Sequence, residues 1–179
     1  MNRARIALTG IAAMLVMHPT AAHTQVRSTT APSANGTTTI AVAGTGMDHL
    51  TTAVIHSKET TATGMIQKST EIVDLTGDLN GRVLYHVTSV FDFARGTLVN
   101  TGDQVYSGTV AGSAPVMIHD DQFRFDVNLA TGTESGRVYL FDHIAGPKVR
   151  CTLDVVGTGM SSEGNPTFAY KGQCTFLGR

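Results

Sequence analysis

The chain has 179 residues, of which 41% are hydrophobic and 15% charged, and its formal net charge is -1. With no basic excess and no Lys/Arg cluster, it lacks the electrostatic field that attracts a phosphate backbone, so nucleic acid is not expected as a partner. The length suits one domain with one hydrophobic core.

Residues 1–22 have the pattern of a secretory signal peptide. Arg3 and Arg5 precede an apolar run from Ile6 to Met17, and the small residues Thr20-Ala21-Ala22 follow it. A basic start, an apolar run of about 7–15 residues and a small-x-small site are what the export machinery reads. Because the run is shorter than the roughly 20 residues that span a bilayer, we expect cleavage, no membrane insertion afterwards, and a secreted or periplasmic protein.

Residues 23–38 are mostly Ser, Thr, Ala, Pro and Asn, which supply too little apolar surface to offset the entropy of ordering. This composition predicts a flexible lead-in before a domain at 39–179. In that domain β-branched and aromatic residues recur in short runs between Gly, Asn and Asp, without a sustained helical period. We therefore predict an all-β fold of about eight or nine antiparallel strands, as a closed barrel or a sandwich. The predicted strands are Thr39–Ala43, Ala53–Ser57, Met65–Leu75, Arg82–Phe93, Thr97–Val110, Gln122–Leu129, Arg137–Ile144, Lys148–Val156 and Thr167–Phe176.

Alternation within the strands predicts which side chains face the core. Phe123, Phe125, Val127 and Leu129 fall on alternate positions and should share the inner face. The strand Arg82–Phe93 has mixed polarity on both faces, which suits a barrel wall around a partly polar lumen. Turns are predicted at 76–81, where Asn-Gly ends the segment, and at 130–136.

The two cysteines, Cys151 and Cys174, lie on strands separated by a segment dense in turn formers. If these strands form one hairpin, the two residues can lie opposite each other, close enough for a disulfide. An even number of cysteines in an oxidising compartment favours a disulfide. The alternative is two buried free thiols.

The stretch Leu75–Tyr85, followed by Val105–Gly112, resembles the allene oxide cyclase-like barrel group, which is related in structure to plant dirigent proteins. The resemblance spans Ile66 to Phe176 and rests on glycine-rich turn patterns. It implies an eight-stranded antiparallel barrel around an apolar cavity, in which known members cyclise or isomerise reactive small molecules or guide radical coupling. No catalytic motif of those enzymes maps residue by residue onto this chain, so the resemblance implies no catalytic residues.

Several short motifs have a structural interpretation beside the chemical one. His119-Asp120-Asp121 and Asp142-His143 combine imidazole with carboxylate, but the first follows Pro115 in a predicted surface loop, and neighbours on one strand point to opposite faces. No Cys or His spacing supplies a zinc pattern, so no metal and no cofactor are expected. The repeated phrase at Gly44-Thr45-Gly46 and Gly157-Thr158-Gly159 predicts turns or bulges, because neither copy continues into a phosphate-binding motif.

A barrel would bring polar residues of several strands around one lumen. A carboxyl group in an apolar lumen has a raised pKa and can protonate an epoxide or an enol, with Tyr85 or His86 orienting it. The alternative is that these strand-borne polar side chains face solvent. The candidate catalytic set is Glu71, Asp74, Tyr85, His86, Asp92 and Arg150.

Three functions follow from such a barrel. The first is binding of a small apolar molecule in the lumen. The second is a cofactor-independent cyclase, isomerase or lyase that uses the same cavity. The third is a structural or interaction module whose barrel interior is filled by side chains.

Overall fold

The computed structural model describes residues 36–178, and in it these residues form a closed eight-stranded antiparallel β-barrel. The predicted all-β barrel is confirmed, whereas the predicted signal peptide and most of the lead-in lie outside the described residues. A short 3-10 turn, η1 (Leu50–Thr52), separates the first two strands. The strands are β1 (Thr38–Asp48), β2 (Val54–Thr60), β3 (Gly64–Gly77), β4 (Leu79–Asp92), β5 (Thr97–Val110), β6 (Val116–Asp120), β7 (Arg124–Asn128), β8 (Thr133–Leu140), β9 (Asp142–Ala145), β10 (Val149–Met160) and β11 (Pro166–Phe176).

Three of the eight barrel positions are each filled by two consecutive short strands. β1 and β2 both pair with β3, and β6 and β7 both pair with β5. β8 and β9 continue this arrangement by pairing with β7 and β6. The barrel closes because β1 pairs with β11 on one side and β3 on the other. Among the described strands, β2 pairs with β3 alone, so its other edge is open.

Side chains alternate between the two faces of the barrel wall, and the inward ones form the core. At one end of the barrel the interior is packed solid by residues that are almost wholly buried, which are Leu79, Tyr106, Val110, Ile118, Leu140, Val149, Cys151 and Cys174. Cys151 lies directly opposite Cys174 in the β10–β11 pairing, and the two form a disulfide. The predicted hairpin and disulfide are confirmed.

The glycines of β1 make room for large rings of β11. Gly44 pairs with Tyr170 and Gly46 with Phe168, and a Cβ added at either glycine would collide with its partner's ring. Both glycines sit in a regular stretch of strand, so the predicted turn or bulge is wrong for this copy of the repeated phrase. It is confirmed for the second copy, where the β10–β11 register shifts between Gly157 and Gly159.

Two further local predictions are corrected by the structure. His119 and Asp120 belong to strand β6 rather than a surface loop, and Asp120 is 1% exposed. Asn80-Gly81 does not end a turn but continues β4, where Gly81 passes close to the backbone of Ser107. In both cases long-range pairing with β5 overrides a local pattern that is typical of turns.

Tyr170 ties β11 to the β3–β4 turn through its hydroxyl. The hydroxyl accepts a 2.8 Å hydrogen bond from the backbone N–H of Leu79, and the carbonyl oxygens of Thr76 and Leu79 lie 3.1 Å from it. Leu79 is fully buried, so its N–H has no access to water once this partner is lost.

We therefore expect Tyr170→Phe to lower the free energy of unfolding by about 1–3 kcal/mol, the usual cost of a buried donor left unsatisfied. Urea unfolding followed by circular dichroism measures this loss. Tyr139→Phe, at a half-buried tyrosine of β8, serves as the control and should change stability less. Equal stability of Tyr170→Phe and the parent would contradict the expectation.

Candidate functional site

The end of the barrel opposite the disulfide contains a cavity of about 370 Å³. This volume lies within the roughly 300–1,000 Å³ of small-molecule sites. Near the strand ends, the wall includes Leu50 of η1 and Gly132 of the β7–β8 turn. It also includes Met160, the last residue of β10, and Pro166, the first residue of β11. The apolar side chains of the wall are Val73, Leu75, Val83, Phe91, Leu98, Phe125, Val127, Val138, Leu153, Val155 and Phe168.

A pair of carboxyl groups interrupts this apolar wall. Asp48, the last residue of β1, lies opposite inward-facing Val73 of β3, so it faces the cavity next to Glu71. The two carboxyl groups share a hydrogen bond. Glu71 is 5% exposed and also accepts a 2.6 Å hydrogen bond from Ser69 Oγ. The pair is therefore anchored to the wall on one side.

Burial controls protonation inside the cavity. Burial, together with the charge of Glu71 and the hydrogen bond to it, raises the pKa of Asp48 to about 9. Burial also raises the pKa of Glu134, and burial and the charge of Glu71 raise the pKa of Tyr85 well above its ordinary value. Asp48 is thus a neutral, proton-bearing acid at neutral pH, and Tyr85 keeps its hydroxyl proton.

A band of polar side chains continues from the carboxyl pair around the inner wall. Glu71 lies opposite Tyr85, Tyr85 opposite Gln104, and Gln104 opposite Asp120. Gln104 Nε2 donates a 2.9 Å hydrogen bond to Asp120 Oδ2, which also accepts from the backbone N–H of Tyr139. Asp120 therefore has a structural role, since it fixes the amide of Gln104 at the cavity wall.

Aromatic packing holds Tyr85 in position. Its ring centroid lies 4.8 Å from that of Phe123 and 6.4 Å from that of Phe125, the second at a near-perpendicular angle. Both distances fall in the range of favourable aromatic pairs. Tyr85 and Phe125 thus present a fixed aromatic surface to the cavity.

The structure places Glu71 and Tyr85 of the predicted set in the cavity wall and the other four residues outside it. Asp74 lies on the outer face, where its carboxylate is hydrogen-bonded to Arg82 at 2.7 Å and to His49 at 2.8 Å. These two partners lower the pKa of Asp74. Asp74 sits at an even position of β3, whereas the inward residues of that strand are odd-numbered, and β3 pairs with β4 without a bulge.

His86, Asp92 and Arg150 are also absent from the cavity wall. His86 Nδ1 is hydrogen-bonded to Thr70 at 2.8 Å on the outer face. Asp92 ends β4 and accepts a 3.0 Å hydrogen bond from the backbone N–H of Arg95, which caps the following turn. Arg150 is exposed, next to inward-facing Cys151.

Sequence reasoning missed two acidic residues of the cavity, Asp48 and Glu134. Asp48 continues the inward alternation of Ile40, Val42, Gly44 and Gly46, so extending the predicted first strand beyond Ala43 would have found it. Glu134 falls in a segment predicted as a turn, and the sequence carries no local signal for it.

The remaining imidazole and carboxylate motifs do not converge on a site. His119 Nδ1 lies 3.6 Å from Asp142 Oδ2, and His119 Nε2 lies 3.9 Å from Asp103 Oδ2. Asp142 and His143 are both exposed. Within residues 36–178, no group of three or more His, Cys, Asp or Glu side chains is arranged to hold a metal ion. No helix in the same region is long and apolar enough to cross a membrane.

A comparison with protein-family models matches no family. Searches of curated proteins and of solved structures likewise find no match. The resemblance to the allene oxide cyclase-like group stays a prediction, and the case for function depends on the cavity.

Proposed function

We propose that the protein binds a small, largely apolar molecule in the barrel cavity. The observation that carries this proposal is the 370 Å³ cavity inside one end of the barrel, whose wall is mostly apolar. A preformed apolar cavity with a few polar groups is the usual form of a small-molecule site, because apolar burial supplies affinity and the polar groups orient the ligand. Here the orienting groups are Asp48, Glu71, Tyr85 and Gln104.

The same cavity supports a second candidate function, a cofactor-independent isomerase or cyclase. The observation that favours it is the carboxyl pair of Asp48 and Glu71, which lines the same cavity as Tyr85 and in which the pKa of Asp48 is raised to about 9. A buried neutral acid can protonate an epoxide or enol oxygen, and the neighbouring Glu71 is placed to stabilise the protonated form of Asp48. Product formation from a bound epoxide, abolished in Asp48→Asn, would distinguish catalysis from binding.

The proposed setting is outside the cytosol. The disulfide between Cys151 and Cys174 is compatible with an extracellular or periplasmic location, since such bonds persist in oxidising compartments. The signal-peptide pattern of residues 1–22 supports secretion.

Lumen binding is tested with a pair of variants at adjacent residues of β10. Val155 is 5% exposed and lines the cavity, whereas Val156 is 53% exposed on the outer face. Val155→Phe should weaken binding of the fluorescent apolar probe N-phenyl-1-naphthylamine by about tenfold or more, because the added ring occupies ligand space. A tenfold loss corresponds to about 1.4 kcal/mol of binding free energy. Val156→Phe, the control, should leave uptake unchanged.

Overpacking can itself destabilise a barrel, so circular dichroism must show both variants folded. Ser89→Leu, which also projects into the cavity, provides a second blocking variant, with Val90→Leu as its outward control. Probe uptake that is the same in every folded variant would place binding elsewhere and overturn the proposal.

A further inference from the structure

The polar groups of the cavity have a marked charge asymmetry. Carboxyl groups enter from three strands, Asp48 from β1, Glu71 from β3 and Glu134 from β8. Of the described residues that line the cavity, none is Lys, Arg or His. A ligand carboxylate or phosphate would meet the charge of Glu71 and find no compensating cation, so the wall disfavours anionic ligands.

Two oxygen atoms of the cavity residues also lack hydrogen-bond donors. Asp48 Oδ1 and Asn100 Oδ1 are buried and have no hydrogen-bond partner among the described residues. Buried acceptors are normally paired, and leaving one unpaired is unfavourable. A ligand that brings N–H or O–H donors into the cavity could satisfy Asp48 Oδ1, which belongs to the acidic pair.

A bare metal ion does not fit these observations. Within residues 36–178, the carboxyl groups of the cavity do not form a group of three that could hold a metal. Apart from the polar band that includes the acidic pair, the wall is mostly apolar, and the ring of Tyr85 packs at an angle to that of Phe125. A cation that carries an apolar body suits such a wall, since aromatic faces attract organic cations within about 6 Å.

We propose that the cavity takes a protonated organic amine, whose ammonium group binds at the Asp48–Glu71 pair while its apolar body fills the rest of the barrel end. This inference rests on the proposed function and names the class of ligand. The ammonium N–H groups donate to Asp48 Oδ1 and to Glu71, and Tyr85 and Phe125 flank the site.

Binding is coupled to release of a proton. In the empty cavity Asp48 is protonated at neutral pH, and an ammonium group at hydrogen-bond distance favours its carboxylate form. The proton leaves to solvent as the ligand binds. The titratable groups that face this position are Asp48, Glu71, Tyr85 and Glu134, all of which are acids, so amine affinity should rise with pH until the amine itself loses its proton at about pH 10.

The test uses three compounds that share one phenylbutyl body: 4-phenylbutylamine, 4-phenylbutan-1-ol and 5-phenylpentanoate. Isothermal calorimetry on the oxidised protein near neutral pH measures each affinity, and buffers of different ionisation enthalpy report proton release. We expect the amine to bind at least about tenfold more tightly than the alcohol, and the carboxylate to bind most weakly. Asp48→Asn combined with Glu71→Gln should abolish the advantage of the amine and leave the affinity for the alcohol within about twofold.

Asp126→Asn removes the same charge from an exposed ion pair with Arg124 and serves as the control, which should keep the amine preference. If the double variant does not fold, the three affinities of the parent decide. Equal affinities, or preference for the carboxylate, would overturn the amine proposal while leaving apolar binding intact. If none of the compounds binds and the naphthylamine probe is not taken up, the proposed function fails and the amine proposal fails with it.

Discussion

Asp48→Asn is expected to make the barrel more stable than the parent at mildly alkaline pH and to flatten the dependence of stability on pH. The pKa of Asp48 is raised from 3.8 to about 9 in the folded protein, first by burial and then by Glu71. Between these two values the native state holds a proton that the unfolded state has released. Stability therefore falls as pH rises through this window, with a limiting slope of about 1.4 kcal/mol per pH unit.

Asparagine keeps the shape of the side chain and offers N–H donors to Glu71, but it has no proton to lose. We expect the variant to gain about 2–4 kcal/mol over the parent at about pH 8, and to show little difference at about pH 3, below both pKa values, where Asp48 is protonated in both states. Urea unfolding at a series of pH values measures this. Some slope should remain in the variant, because burial also raises the pKa of Glu134.

Asp126→Asn is the control for this experiment as well. Asp126 is exposed and its ion pair with Arg124 is at the surface, so we expect a change of less than about 1 kcal/mol at any pH. A parent whose stability does not fall between acid and alkaline pH, or an Asp48→Asn variant that follows the parent at every pH, would contradict the raised pKa.

The sequence predicted the class of fold and the disulfide because both depend on local patterns. Alternation assigned Phe123, Phe125, Val127 and Leu129 to one inner face. Phe123 is buried, and Phe125 and Val127 line the cavity, whereas Leu129, past the end of β7, is exposed. Turn-rich composition between the cysteine strands indicated their hairpin, which places Cys151 opposite Cys174. These features follow from residues close together in the chain or from simple periodicity.

The site was only half predictable, because it is assembled by strand closure rather than by any local motif. Glu71 and Asp74 were both placed in the lumen on chemical grounds, although strand geometry lets only one parity of β3 face inward. Asp48 meets Glu71 because β1 pairs with β3 as the barrel closes, and that register is not visible in the sequence of either strand. The sequence predicted one strand over Arg137–Ile144, whereas the structure has two there, β8 and β9. The break was not predicted because β9 pairs with β6, whose residues His119 and Asp120 were predicted to lie in a loop.

Removal of the disulfide is expected to cost about 3 kcal/mol of unfolding free energy. The bond joins cysteines 23 residues apart, and closing a loop of that length in the unfolded chain accounts for about 3 kcal/mol in the chain-entropy description. Cys151→Ala with Cys174→Ala should lower the free energy of unfolding, measured by urea titration, by this amount, and the reduced parent should show a similar loss. Both cysteines are fully buried at the packed end of the barrel, so lost side-chain volume adds to the effect.

Thr152→Ala with Gln173→Ala is the matched control, since this pair is adjacent in the same β10–β11 register but on the other face of the sheet. We expect it to cost less than about 1 kcal/mol, because Thr152 is half-buried and Gln173 is exposed, both away from the core. The cavity lies at the opposite end of the barrel, so the folded cysteine variant should still take up the naphthylamine probe. A loss of stability no larger than that of the control would contradict the stabilising role of the disulfide. Loss of probe binding in a folded cysteine variant would instead show that the packed end controls the shape of the cavity.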